Sequence, residues 1–176
     1  MSKRYDRILD ERFAMPALRA VHDYLIGFRG TESEIHPKGR FGIDLLYRKD
    51  GHSVGSEVEH RVKWMGNSWP ASWATIHIPD RKSKQIQGLG RDFDWFEFWT
   101  LNNPMTRAMV VDGSGFMESL KVDVFCDSPG VIADRDPMRD IPINLWWLEF
   151  CNLETGETER NQFPMREEDP PWLANE

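Results

Sequence analysis

The stretch "DLLYRKDGHSVGSEVE", residues 44–59, limits the possible folds more than any other part of the chain. Asp50-Gly51 separates two runs of alternating character. That is a strong signal for a two-residue hairpin loop, whose central residues need positive φ. Upstream, "FGIDLLY" (41–47) sets Phe41, Ile43, Leu45 and Tyr47 on one face of a strand. Downstream, "SVGSEVEHRVK" (53–63) sets Val54, Val58 and Val62 on one face, with Glu57, Glu59, Arg61 and Lys63 on the other. If Asp50 and Gly51 form the loop, Lys49 pairs with His52, and the same register puts Asp44 opposite Glu57. Both carboxylates then project from the polar face. Gly42 faces Glu59 and Gly55 is a neighbour, so small residues leave room beside the acids.

Carboxylates that face each other across a sheet repel. A shared proton relieves the conflict, and so does a hard divalent cation such as Mg²⁺ or Mn²⁺. The plain alternative is a solvated polar face with no ligand.

The surroundings read as one domain over residues 1–153, followed by an acidic, Pro-containing tail at 154–176. Residues 3–14 and about 16–28 have helical spacing, and Pro16 suits the first turn of the second helix. Further strands are expected at 73–78, 93–101, 106–113 and 120–125. The run "INLWWLEFCNL" (143–153) fits strand or helix equally. Helices first and many strands after predict an α/β (α+β) fold. With 40% hydrophobic and 29% charged residues among 176, the composition is that of a globular domain with a real core. No apolar run approaches about 18 residues, and the N-terminus lacks the apolar core of a signal peptide. This predicts a cytoplasmic protein that does not enter a membrane. Two distant cysteines, Cys126 and Cys151, exclude a cysteine-based zinc cluster and suit a reducing compartment.

A formal net charge of −7 argues against nucleic-acid binding when taken alone. Its distribution changes the weight. Residues 154–176 carry seven acids against Arg160 and Arg166, so the body is nearly neutral and can still present a basic face.

An Asp on one strand, a hairpin, and then an acid two residues before a lysine on the next strand form the core of the PD-(D/E)xK nuclease superfamily, and this chain resembles it over about residues 1–112. That superfamily includes restriction endonucleases and archaeal-type Holliday junction resolvases. Asp44 matches the first acid and Glu57 the second. Among acids on or near a preceding helix, Glu11 matches best by position, with Asp23 and Glu34 as competitors. The resemblance implies a restriction-endonuclease-like central mixed sheet with N-terminal helices packed on it. It also implies Mg²⁺ or Mn²⁺ as cofactor, DNA as partner and phosphodiester hydrolysis as the reaction, and it admits a homodimer. The chain departs from the pattern where Glu59 stands in the lysine position. Lys63 on the same strand face, and Lys82 or Lys84 after the third strand, are the candidates to replace that lysine. Glu59 would then be a further ligand or a general base.

Other features carry less. Arg81, Lys82, Lys84 and Arg91 could contact phosphates, or form an ordinary solvated run. The five histidines show no ligand spacing, although His60 and His77 could approach across adjacent strands. "VVDGSGF" (110–116) reads as a Gly-rich hairpin turn, since it lacks the lysine of a phosphate-binding loop. Trp64, Trp69 and Trp73 could stack on unpaired bases, but packing or partner binding is the more ordinary use. The rival to a nuclease is a non-catalytic domain of the same fold that binds a protein or nucleic acid. The acidic balance and the displaced lysine favour that rival.

Overall fold

The computed structural model describes residues 14–35, 43–86, 92–124, 136–143 and 148–160. The expected first helix therefore falls almost wholly outside the described residues, as do Glu11, Gly42, Arg91, Cys126 and the chain beyond residue 160.

Helix α1 (Met15–Arg29) starts with Pro16 in its first turn and ends where Gly30 adopts a left-handed conformation, φ 60°. Its buried stripe is Leu18, Val21, Tyr24 and Leu25. Strands β1 (Ser33–Ile35), β2 (Leu45–Lys49) and β3 (His52–His60) form an antiparallel meander. The β2–β3 register is the expected one, with Lys49 opposite His52 and Leu45 opposite Ser56. Asp50 (φ 52°) and Gly51 (φ 84°) both have positive φ, as a type I′ loop demands.

Strand β4 (Thr75–Pro79) leaves this sheet. It leads into a 3₁₀ turn (Asp80–Lys82) and a single helical turn, α2 (Ser83–Ile86). Strand β5 (Trp95–Leu101) returns parallel to β3, and β6 (Arg107–Asp112) runs back antiparallel. A short helix, α3 (Gly113–Glu118), follows. The hairpin turn read at "VVDGSGF" is thus replaced by a helix. Asp112 caps it by accepting the Ser114 N–H at 2.7 Å, so the aspartate acts as an N-cap rather than as a turn residue. Strands β7 (Leu120–Val124) and β8 (Asp136–Pro142) join β4 in a second sheet. Strands β9 (Glu149–Asn152) and β10 (Thr158–Arg160) complete the first. The ambiguous 143–153 run is therefore strand in its described second half. The ordered fold also continues into the start of the acidic stretch.

The protein is mixed α+β. Among the described residues a seven-stranded mixed sheet has the order β1-β2-β3-β5-β6-β9-β10, and a three-stranded antiparallel sheet has the order β4-β8-β7. Helix α1 covers one face of the large sheet, packing on Leu45, Val54, Trp99, Leu101 and Val110. The opposite face meets the small sheet and the 64–73 loop, where Phe96, Phe98 and Val111 pack with Trp64, Ile76, Ile78 and Ile141. Strand β5 lies between two covered faces, which is why "WFEFWTL" reads as a continuous apolar run instead of alternating.

The alternation read along 41–47 fails at its start. Leu45 and Tyr47 face α1 as expected, but Ile43 packs into the opposite cluster. The chain bends at Asp44, just before β2 begins.

Candidate functional site

Glu57 sits in the middle of β3, level with Phe98 of β5, so its side chain faces the small sheet. It is only 4% exposed. Asp44 reaches it from the bend before β2. The Asp44 N–H donates to the Ser56 carbonyl at 2.8 Å, and Asp44 Oδ2 accepts the Val58 N–H at 2.8 Å. The aspartate therefore finishes the β2–β3 ladder with its own side chain, which fixes its carboxylate beside that of Glu57.

The electrostatic conflict expected from the sequence is present. Burial first, and the Asp44 charge second, push the Glu57 carboxyl up from 4.5 to about 8. Lys82 works in the other direction, since its Nζ donates to Glu57 Oε2. A proton shared between Asp44 and Glu57 is one of the contacts that raise the value.

Lys82 is held in place by its own turn. Asp80, two residues earlier, accepts from Arg139 Nε at 2.6 Å and pairs with Lys121 Nζ at 3.1 Å. Arg139 in turn donates to the carbonyls of Met117 and Ser119, both at 2.9 Å, and lies over the Phe116 ring. The small sheet thus clamps the 3₁₀ turn that aims Lys82 at Glu57. Burial of Asp80 would raise its carboxyl, but hydrogen bonds from Lys121 and Arg139 outweigh this and lower it.

The structure brings together Asp44, Glu57 and Lys82. Glu59 stands apart, half exposed, with its Oε2 paired to Arg61 Nη2 at 3.1 Å. Lys63 lies exposed in the turn after β3, and Lys84 is exposed on α2. Asp23 is exposed on α1 and Glu34 is exposed in β1, where it pairs with Leu46. The side chain of Arg81 is not among those described. His60 and His77 do not form a pair: His60 Nε2 lies 3.1 Å from the Asn103 carbonyl, and His77 Nε2 lies 2.9 Å from Asp140 Oδ1. The room expected beside the acids at Gly55 is filled, since a Cβ there would lie 2.7 Å from the Phe93 ring. Trp64 is fully buried, and Trp69 and Trp73 are half-buried against the same cluster. Trp64 is thus core, whereas Trp69 and Trp73 keep part of their surface open.

A second buried acid escaped the sequence reading. Glu97 is 6% exposed on the α1 face of β5. It accepts from Tyr47 Oη and from Lys49 Nζ, the latter at 2.9 Å. Burial, reinforced by the Glu97 charge, holds the Tyr47 phenol well above its ordinary range. The signal was a lone charge inside the apolar run "WFEFWTL". Its face is opposite to that of Glu57, so the two acids belong to separate sites.

Among the described residues no group of three or more His, Cys, Asp or Glu side chains is arranged to hold a metal ion. Two carboxylates are nevertheless a suitable donor set for Mg²⁺, which is usually held by one or two carboxylates with water and substrate phosphate supplying the rest. Glu57, Glu59, Ile78, Lys82 and Phe98 line a narrow cleft beside Glu57. Comparisons with protein-family models, curated proteins and solved structures find no match for this chain.

Proposed function

We propose that this protein is a metal-dependent deoxyribonuclease, with Asp44 and Glu57 holding Mg²⁺ or Mn²⁺ and Lys82 serving as the lysine of the site. One observation carries the reading. Lys82, 25 residues beyond Glu57, reaches back to the Glu57 carboxylate, so the cation missing from position 59 is supplied from another element. That arrangement supports the PD-(D/E)xK resemblance at the point where the sequence departs from it. The meander β1-β2-β3 with a parallel β5 beside it supports the corresponding restriction-endonuclease-like sheet.

When bound, the divalent ion supplies Lewis acidity for phosphodiester hydrolysis. The chain's own groups do the rest. Asp44 and Glu57 offer hard oxygen donors on a rigid hairpin, and Asp44 is anchored to the β3 backbone. Loading the site requires Glu57 to give up its proton and Lys82 to give up part of its hold on Glu57. The freed Lys82 ammonium can then donate to a phosphoryl oxygen as charge develops on it. Glu59, which borders the cleft, would accept a proton from an attacking water in this reading, at the cost of its pairing with Arg61.

A second reading rests on the same contact. If Lys82 permanently neutralises Glu57, the trio is a structural ion cluster in a non-catalytic binding domain. Incubation with linear, single-stranded and branched DNA in Mg²⁺ or Mn²⁺ separates the two. The nuclease reading expects cleavage that disappears in Asp44→Asn and Glu57→Gln. Absence of cleavage on all three substrates, or cleavage that survives both substitutions, would overturn it.

A further inference from the structure

We propose that the groove beside the Asp44–Glu57 site binds an unpaired strand of DNA; this names a substrate class for the nuclease reading and rests on that reading. Past Glu57, the end of β3 and the loop leading to β4 enclose an open groove of about 510 Å³. Its walls include Trp69 and Trp73, its floor Arg61 and His77, and Lys63 stands exposed at its side. Glu59 borders both this groove and the narrow cleft over Glu57. A strand lying in the groove would therefore pass beside Glu59, next to the cleft at Glu57.

The walls are already formed. Trp69 Nε1 donates to the Trp73 carbonyl at 2.7 Å, and Trp64 Nε1 donates to the Ser68 carbonyl at 2.8 Å. The three indoles meet edge to face, with centroids 4.9 and 5.4 Å apart. The Arg61 guanidinium holds Glu59 and the His77 carbonyl together across the floor. A fixed aromatic wall next to an exposed ammonium is the combination that takes up unpaired nucleotides: bases stack on the rings and a phosphate meets the cation. The volume lies within the range of small-ligand pockets, room for a nucleotide or two. Val62, 52% exposed, adds apolar surface to the groove lining.

The test reads binding without cleavage. Fluorescence anisotropy is measured in EDTA with labelled oligo-dT and with a duplex of equal length. Oligo-dT is expected to bind about 10-fold or more tightly than duplex. Trp73→Ala should weaken it about 10-fold, while Trp73→Tyr, which keeps a stacking ring, should retain most of the affinity. Lys63→Ala, at an exposed position that folding does not depend on, should reduce the salt slope by about 0.7. Equal affinity for duplex, or single-strand binding indifferent to both Trp73→Ala and Lys63→Ala, would overturn the groove and leave the metal site untouched. Intact single-strand binding with no metal-dependent cleavage would overturn the nuclease reading alone.

Discussion

Glu57 is the residue whose chemistry is least ordinary. Its carboxyl keeps a proton up to about pH 8 in the folded chain and would lose it near 4.5 once unfolded. Between those values the folded state binds the additional proton, so stability falls as pH rises through the window and is fully present below 4.5. The metal-free protein should lose on the order of a few kcal/mol from pH 5 to pH 8. Glu57→Gln should flatten that dependence, as urea denaturation at a series of pH values would show. Unchanged pH dependence in the variant would mean that Glu57 is not the group responsible. Lys82 provides a second test. Because it competes for the carboxylate that the metal needs, Lys82→Met should tighten Mn²⁺ binding. The same substitution should slow cleavage about 100-fold or more by removing a donor to the transition state. Affinity and rate moving in opposite directions would be hard to obtain from a merely structural ion pair. Loss of both together would contradict the role given to Lys82.

The β2–β3 hairpin was legible in the sequence because everything that specifies it is local. Asp50-Gly51 chose the loop, alternation chose the faces, and the register followed. Gly51→Ala should cost about 1–2 kcal/mol, since φ 84° is left-handed backbone that an alanine resists. The site was only half legible for the opposite reason. Asp44 and Glu57 were placed by the register, but the Lys82 contact depends on β4 leaving the large sheet to join β8, a pairing made far along the chain. No periodicity within residues 73–84 encodes that departure. Ile43 was assigned to the wrong face because the bend at Asp44 interrupts the alternation. Gly55 was read as open space, whereas Phe93 was what it made room for. Gly55→Ala should therefore destabilise by about 1–3 kcal/mol through overpacking, and Phe93→Leu in the same chain should recover part of the loss. An additive double mutant would show that the two positions do not touch.

At the scale of the whole molecule, charge and fold are separable. Residues 161–176, which follow the last described strand in sequence, carry four acids and one arginine. Removing them should leave the melting temperature unchanged and strengthen DNA binding at low salt, an advantage that fades as the screening length shortens. A large fall in melting temperature would show instead that Trp172 or its neighbours dock on the core. A divalent cation held by Asp44 and Glu57 would act on the same observable. A ligand bound only by the folded state stabilises it by RT ln(1 + [L]/Kd), about 2.7 kcal/mol at a hundredfold excess over Kd. Mn²⁺ titrated at pH 8, where the proton on Glu57 competes less than at lower pH, should raise the melting temperature saturably in the wild type and leave Asp44→Asn and Glu57→Gln where they were. No shift in the wild type, or the same shift in all three proteins, would contradict the account.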